Sequence, residues 1–185
     1  MKIYFVRHAE VSEEYIGRYN GHIDISLSKN GQLQAKELGK KLSPIHFDRI
    51  YCSDLLRAKQ TLEEFGLNQE VIYSKRLREK SWGEHEGMSF DEIQDSGIEY
   101  ENFTQWLSAL DGESVESYTQ NLQNYFYKVI LQDTSEDILL ITHAGVIRTL
   151  ISITQKITLE DSFKTKLTYS SYLIFNRGNM TFIHK

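Results

Sequence analysis

Short apolar runs, rich in β-branched and aromatic residues, alternate along the chain with longer segments whose apolar positions recur at helical spacing. KIYFV (2–6), DRIYCS (48–53), VIYS (71–74) and DILLIT (137–142) read as strands. Between them, SKNGQLQAKELGKKLS (28–43) carries Leu33, Leu38 and Leu42 on one helical stripe, with Ser28 as its N-cap. DLLRAKQTLEEFG (54–66) reads as a second helix, capped by Ser53 or Asp54 and closed at Gly66. RYNGHIDISLS (18–28), with its Asn20-Gly21 turn signal, and RLREKSWGEHEGMS (76–89) have loop composition.

From 89 to 132 the pattern is helical and aromatic, with Phe90, Tyr100, Phe103, Trp106, Tyr118, Tyr125, Phe126 and Tyr127; it predicts core packing, with one or two rings lining a cap over a pocket. VIRTLISIT (146–154) is a further helix, and LTYSSYLIFN (167–176) with MTFIHK (180–185) forms a terminal hairpin turned at Arg177-Gly178-Asn179. Strands alternating with long helices predict an α/β fold, a three-layer α/β/α sandwich with a mostly parallel central sheet. A length of 185 residues with 40% hydrophobic content suits one domain spanning 1–185, burying roughly 70% of its unfolded surface.

Charge and cysteine usage narrow the classes. A net charge of -5 gives no global field for nucleic acid or an anionic membrane, so any anion site must be local. The lone Cys52 forms no internal disulfide, no apolar run approaches a membrane span, and the N-terminal residues lack a signal-peptide pattern. A cytoplasmic protein is expected.

The strand ends carry the chemistry. Arg7-His8 follows the first strand, Ser53 and then Arg57 the second, and His143-Ala144-Gly145 the fourth. In an open parallel sheet, residues just beyond the carboxyl ends of strands converge on one crevice. Two guanidinium forks and two imidazoles there suit a phosphoryl group, with helix N–H groups after Gly145 as further donors. A neutral imidazole can attack phosphorus to give phosphohistidine, and Arg7 beside His8 disfavours its protonation. The loop after the third strand supplies Glu79, Glu84 and Glu86 as candidate general acids for the leaving alcohol. His22, His46, His85 and His184 read as structural or surface histidines, and no cluster has metal-ligand spacing, so neither metal nor cofactor is expected.

VRHAE (6–10), SDLLRAKQT (53–61), LREKSWGEHEG (77–87) and THAGVIR (142–148) together resemble the histidine phosphatase superfamily, in its phosphoglycerate-mutase-like branch. YNGHIDISLSKNGQLQA (19–35) is similar to the corresponding region of small phosphatases, including α-ribazole phosphatases. The resemblance implies that His8 is the nucleophile, that Arg7, Arg57 and His143 hold the phosphoryl oxygens, and that Glu79 is the proton donor. Ala144 would add a backbone N–H, and Ser12, Asn20 and Gly21 count as further substrate contacts. Departures stand beside it. Ala9 replaces a family Gly, Val11 a Ser or Thr, Glu14 an Asn and His85 a Trp.

The expected activity is hydrolysis of a phosphomonoester through phosphohistidine, on a small metabolite such as α-ribazole 5'-phosphate. Two other readings use the same residues: a phosphoglycerate-type mutase, and a weakly active phosphate-binding regulatory protein. The expected partners are a small phosphoester and inorganic phosphate, with no nucleic acid or membrane, in a monomer or homodimer.

Overall fold

A computed structural model describes residues 1–183. Six strands form one sheet: β1 (Lys2–Arg7), β2 (Arg49–Ser53), β3 (Val71–Ser74), β4 (Asp137–Thr142), β5 (Tyr172–Asn176) and β6 (Thr181–Ile183). Their order is β3-β2-β4-β1-β5-β6. β3, β2, β4 and β1 are parallel, with Phe5 opposite Leu140 and Tyr51 opposite the same residue from the other side. β5 runs antiparallel to β1, and β6 to β5, which is the expected hairpin. His184 lies outside the described residues.

Both faces of the sheet are covered, which is why its central strands read as unbroken apolar runs. Ile3 and Phe5 of β1 point into one core with Ile138 and Leu140, while Tyr4 and Val6 point into the other with Leu139 and Ile141. The first core is roofed by α5 (Val115–Tyr125) and α6 (Ala144–Gln155), the second by α1 (Lys29–Leu42) and α2 (Leu56–Glu63). The result is the expected three-layer α/β/α sandwich.

Several local expectations need correction. Ser28 does cap α1, accepting from Gly31 N at 2.9 Å, but Leu33 is 62% exposed. The buried stripe is Gly31, Ala35, Leu38 and Leu42, one turn apart each time. Neither Ser53 nor Asp54 caps α2. Ser53 Oγ is engaged by a histidine, Asp54 forms a bidentate pair with Arg78 (2.7 Å to each oxygen), and the Leu56 N–H is met by Asp24 Oδ1 at 2.7 Å. The cap is thus borrowed from a distant loop.

The 89–132 stretch divides in two. α3 (Phe90–Asp95) and α4 (Phe103–Ala109) bury Ile93, Trp106 and Leu107 in a small cluster with Tyr19 and Trp82, at the carboxyl edge of the sheet. Tyr118, Leu122, Phe126 and Ile130, spaced four apart, instead belong to the main core. The first half thus lies at that edge, while the apolar stripe of the second half packs it on one face of the sheet, with Val115 and Tyr118 at its start also lining the cavity described below. α7 (Leu159–Phe163) follows α6 and packs against it. The terminal hairpin is also shorter than expected. Residues 167–171 leave the sheet in a turn, with Ser171 N donating to Thr168 O and Ser170 at φ 52°.

Candidate active site

The order β2-β4-β1 sets Ser53, His143 and His8 side by side at three adjacent carboxyl ends. The two imidazoles lie 5.1 Å apart between centroids, tilted by 57°. His8 Nδ1 is 2.7 Å from Ala9 O. A carbonyl only accepts, so Nδ1 carries the proton and the neutral ring keeps its lone pair on Nε2. Burial, then the Arg57 and Arg7 charges, hold the His8 pKa well below the usual histidine value. The ring is neutral at pH 7. Ala9 is buried, donates its N–H to Thr61 Oγ1 at 2.9 Å and takes no positive φ, so the methyl is carried without backbone strain.

His143 is fixed from behind. Arg57 Nε donates to His143 Nδ1 at 3.3 Å, which leaves the ring proton on Nε2, facing Ser53 Oγ at 2.8 Å. Burial first, then Arg57, His8 and Arg7, push the His143 pKa well down. The remaining Arg57 bonds go to Ile23 O (2.9 Å), Asn20 O (2.9 Å) and Gly21 O (2.7 Å). Burial lowers its pKa to about 10, opposed by Glu79, Glu86 and Asp24. Sequence reasoning sets Arg57 in the cavity wall as a phosphoryl fork. Here it stands fully buried behind His143, selecting that ring's tautomer and clamping the 20–23 loop, because the loop carbonyls reach the guanidinium first.

Arg7 does face the cavity. Its Nη1 donates to Leu167 O at 2.6 Å, its guanidinium carbon lies 4.0 Å over the Tyr169 ring, and its buried Nε has no partner. Glu79 alone of the three candidate acids lines the cavity. Its Oε2 accepts from Gly145 N at 2.9 Å and its Oε1 from Lys80 N at 3.2 Å. Glu86 is occupied elsewhere, accepting from the backbone of Gly21 (2.8 Å), His22 (2.8 Å), Trp82 (3.0 Å) and Ile23 (3.3 Å), which ties two loops together. Glu84 is exposed.

Ala144, in the first turn of α6, also lines the cavity with an N–H that has no partner within its own helix. Asn20 lines it as well, with Nδ2 on Tyr15 O at 2.6 Å and a buried, unpartnered Oδ1. Ser12 and Gly21 are not brought to the cavity surface. Ser12 Oγ sits on Ser26 O (3.2 Å) and Ser26 Oγ (3.1 Å), and Gly21 is packed so tightly under the Lys80–Trp82 segment that a Cβ would stand 2.8 Å from the Trp82 ring. Val11 is buried in the core and Glu14 is exposed. His22, His46 and His85 lie outside the cavity, His85 Nδ1 accepting from Asp111 N at 3.0 Å.

The cavity encloses about 420 Å³. Its lining includes Tyr19, Trp82, Phe90, Phe103 and Trp106 together with Arg148, Thr149, Leu159 and Phe163, the Phe103 and Phe163 rings meeting at 4.7 Å between centroids. Sequence reasoning misses Tyr169, whose ring centroid is 5.6 Å from that of His8, because it reads as a strand residue. It also passes over Arg148 as a helix position. The signal was present: Arg148 lies four residues after Ala144, one turn further along the same helix face.

His143, expected among the phosphoryl ligands, is fully buried behind the cavity surface with both ring nitrogens engaged. The parallel-sheet crevice that presents the imidazole of His8, an arginine and a carboxylate has the make-up of a phosphoryl-transfer site. The family model for the histidine phosphatase superfamily (branch 1) matches residues 3–183, and the chain belongs to that superfamily. The expectation of a phosphatase of this family, with a phosphoglycerate-mutase-like fold, is met. The chain is 31% identical over 158 residues to phosphoserine phosphatase 1 of Hydrogenobacter thermophilus (81% of this chain, 74% of that one). It is 29% identical over 160 residues to the adenosylcobalamin/α-ribazole phosphatase of Salmonella typhimurium (82% and 78%). A crystal structure of a putative α-ribazole-5'-P phosphatase from Escherichia coli superposes with a TM-score of 0.86 at 22% identity, covering 100% of this chain and 95% of the other, which bears on the fold.

Proposed function

We propose that the protein hydrolyses phosphomonoesters of small metabolites through a phosphohistidine on His8. Nε2 of the neutral His8 ring attacks phosphorus, the P–O bond to the alcohol breaks, and Glu79 gives its proton to the departing oxygen. Water then attacks the phosphohistidine, Glu79 takes back a proton, the N–P bond breaks and inorganic phosphate leaves. Arg7 and the Ala144 N–H meet the charge on the phosphoryl oxygens, and Arg57 acts through His143 as a positioning residue. The observation that supports this reading is the Nδ1 to Ala9 O bond, which leaves Nε2 without a proton on a ring that lines the same cavity as Glu79.

The relatives include a phosphoserine phosphatase and an adenosylcobalamin/α-ribazole phosphatase, and we take the substrate to be a small phosphorylated metabolite. The whole of 1–185 acts as one histidine phosphatase domain, with α3 and α4 as its cap, working as a monomer or homodimer. A single free, buried Cys52 fits a reducing compartment, and we propose a cytoplasmic location. The test is a phosphoester panel assayed in chelator with the wild type and Glu79→Gln. Accumulating inorganic phosphate, diminished in the variant, is expected. An isomerised ester would establish the mutase reading, and phosphate or vanadate binding without turnover the regulatory one.

A further inference from the structure

Arg148 has no role in the chemistry just described, yet it is the least satisfied cation facing the cavity. It projects from α6 one turn beyond Ala144 and lines the cavity wall. Its guanidinium carbon stacks 4.5 Å over the Phe163 ring. Among the described residues no carboxylate pairs with it, its Nε is buried without an acceptor, and its one hydrogen bond, Nη2 to Thr165 O, is long at 3.5 Å. Arg7 likewise lacks a carboxylate partner and has an unpartnered Nε, but it keeps a short 2.6 Å bond to Leu167 O and the Tyr169 ring, and the remaining cations at this cavity are held by acceptors. Arg18 is held by Glu92 at 2.6 Å and Gly87 O at 3.0 Å, and Lys80 by Ser81 O at 2.9 Å over the Trp82 ring. Burial first and then the nearby Arg7 charge disfavour the cation at Arg148, opposed in part by Glu79, which makes no ion pair with it, so a directly bonded anion there would offset the remaining cost.

Resting on the phosphatase reading, we propose that Arg148 is a second-anion subsite, so that the preferred substrates are phosphoesters whose alcohol portion carries its own negative charge, as a carboxylate or a further phosphate. The aromatic side chains that line the same cavity, Trp82 and Trp106 among them, would cover the apolar body between the two anions. A carboxylate meeting the guanidinium fork away from bulk water makes two charge-assisted bonds, which is worth about tenfold or more in specificity.

The test uses matched pairs: 3-phosphoglycerate against glycerol 3-phosphate, and 4-carboxyphenyl phosphate against its methyl ester. The wild type should favour the charged member of each pair in kcat/KM by about tenfold or more, and Arg148→Met, which keeps the stacking volume over Phe163, should remove most of that preference. Arg148→Lys should restore part of it. A wild-type preference ratio near one, or a ratio unchanged in Arg148→Met while both esters slow together, would overturn the proposal; the second result would make Arg148 a ligand of the transferred phosphoryl group. If the wild type turns over none of the four compounds, the phosphatase reading is decided by the wider phosphoester panel above, and calorimetric affinities of the same pairs for the wild type and Arg148→Met still decide the Arg148 assignment.

Discussion

Gly145→Ala separates the proton donor from the rest of the machinery. A Cβ at Gly145 would overlap Glu79 Oε1 and stand 2.8 Å from Glu79 Cδ, so the carboxylate must swing away and give up the 2.9 Å bond from Gly145 N. Such a charge-assisted bond is worth about 1.5 to 3 kcal/mol. The fold should tolerate the change, because alanine is favoured over glycine in a helix by up to about 1 kcal/mol and Gly145 takes no positive φ. Displacing a general acid removes about 10² to 10⁴ in rate, or about 2.7 to 5.4 kcal/mol of barrier. The loss should depend on the leaving group. An alkyl phosphate, whose alkoxide needs the proton, should lose the full factor in kcat. 4-Nitrophenyl phosphate, whose phenolate leaves unaided, should lose less than about tenfold. Stopped assays of both esters with a thermal melt of the variant make the measurement. Equal losses on the two esters, or an undiminished alkyl rate with an unchanged melt, would refute the placement of Glu79 as acid.

Other consequences follow from the buried rings. Since the His8 pKa is held well below 6.5, the acidic limb of kcat/KM should also lie well below 6.5, and a limb at or above that value would contradict a neutral nucleophile. Stability should move the same way. The unfolded chain takes up protons on both histidines as pH falls through about 6.5 while the folded chain does not, so it binds more protons and stability drops by up to about 2.7 kcal/mol per pH unit below that point, until the folded pKa values are reached. Urea titrations at pH 7 and pH 5 read this directly, and a flat profile would contradict it. Burial pushes the Cys52 thiol well up, so it should resist Ellman's reagent in the native protein and react only on unfolding.

The strand ends were legible because β1, β2 and β4 break from apolar runs into polar residues within one position, and the parallel topology brings those ends together whatever their separation in sequence. His8, His143, Arg7 and Glu79 could be gathered on that ground. What could not be read was which groups a loop would reach. Arg57 has the same sequence signature as a phosphate ligand, and only the path of residues 20–23 shows its donors taken up by their carbonyls. Glu86 and Glu79 are equivalent in composition, but the turn at 81–85 points one at the loop amides and the other at the cavity. Tyr169 lies in a run that looks like strand until Ser170, at φ 52°, ends it. Leu33 follows the helical period loosely, and small residues at Gly31 and Ala35 were the better sign of the buried face.

The most direct test of the central claim is to quench the wild type during turnover of a ³²P-labelled ester and map the label. The account predicts an acid-labile, base-stable phosphate on His8, absent in His8→Ala, with phosphate release abolished in that variant. Label on another residue, or undiminished turnover by His8→Ala, would contradict it.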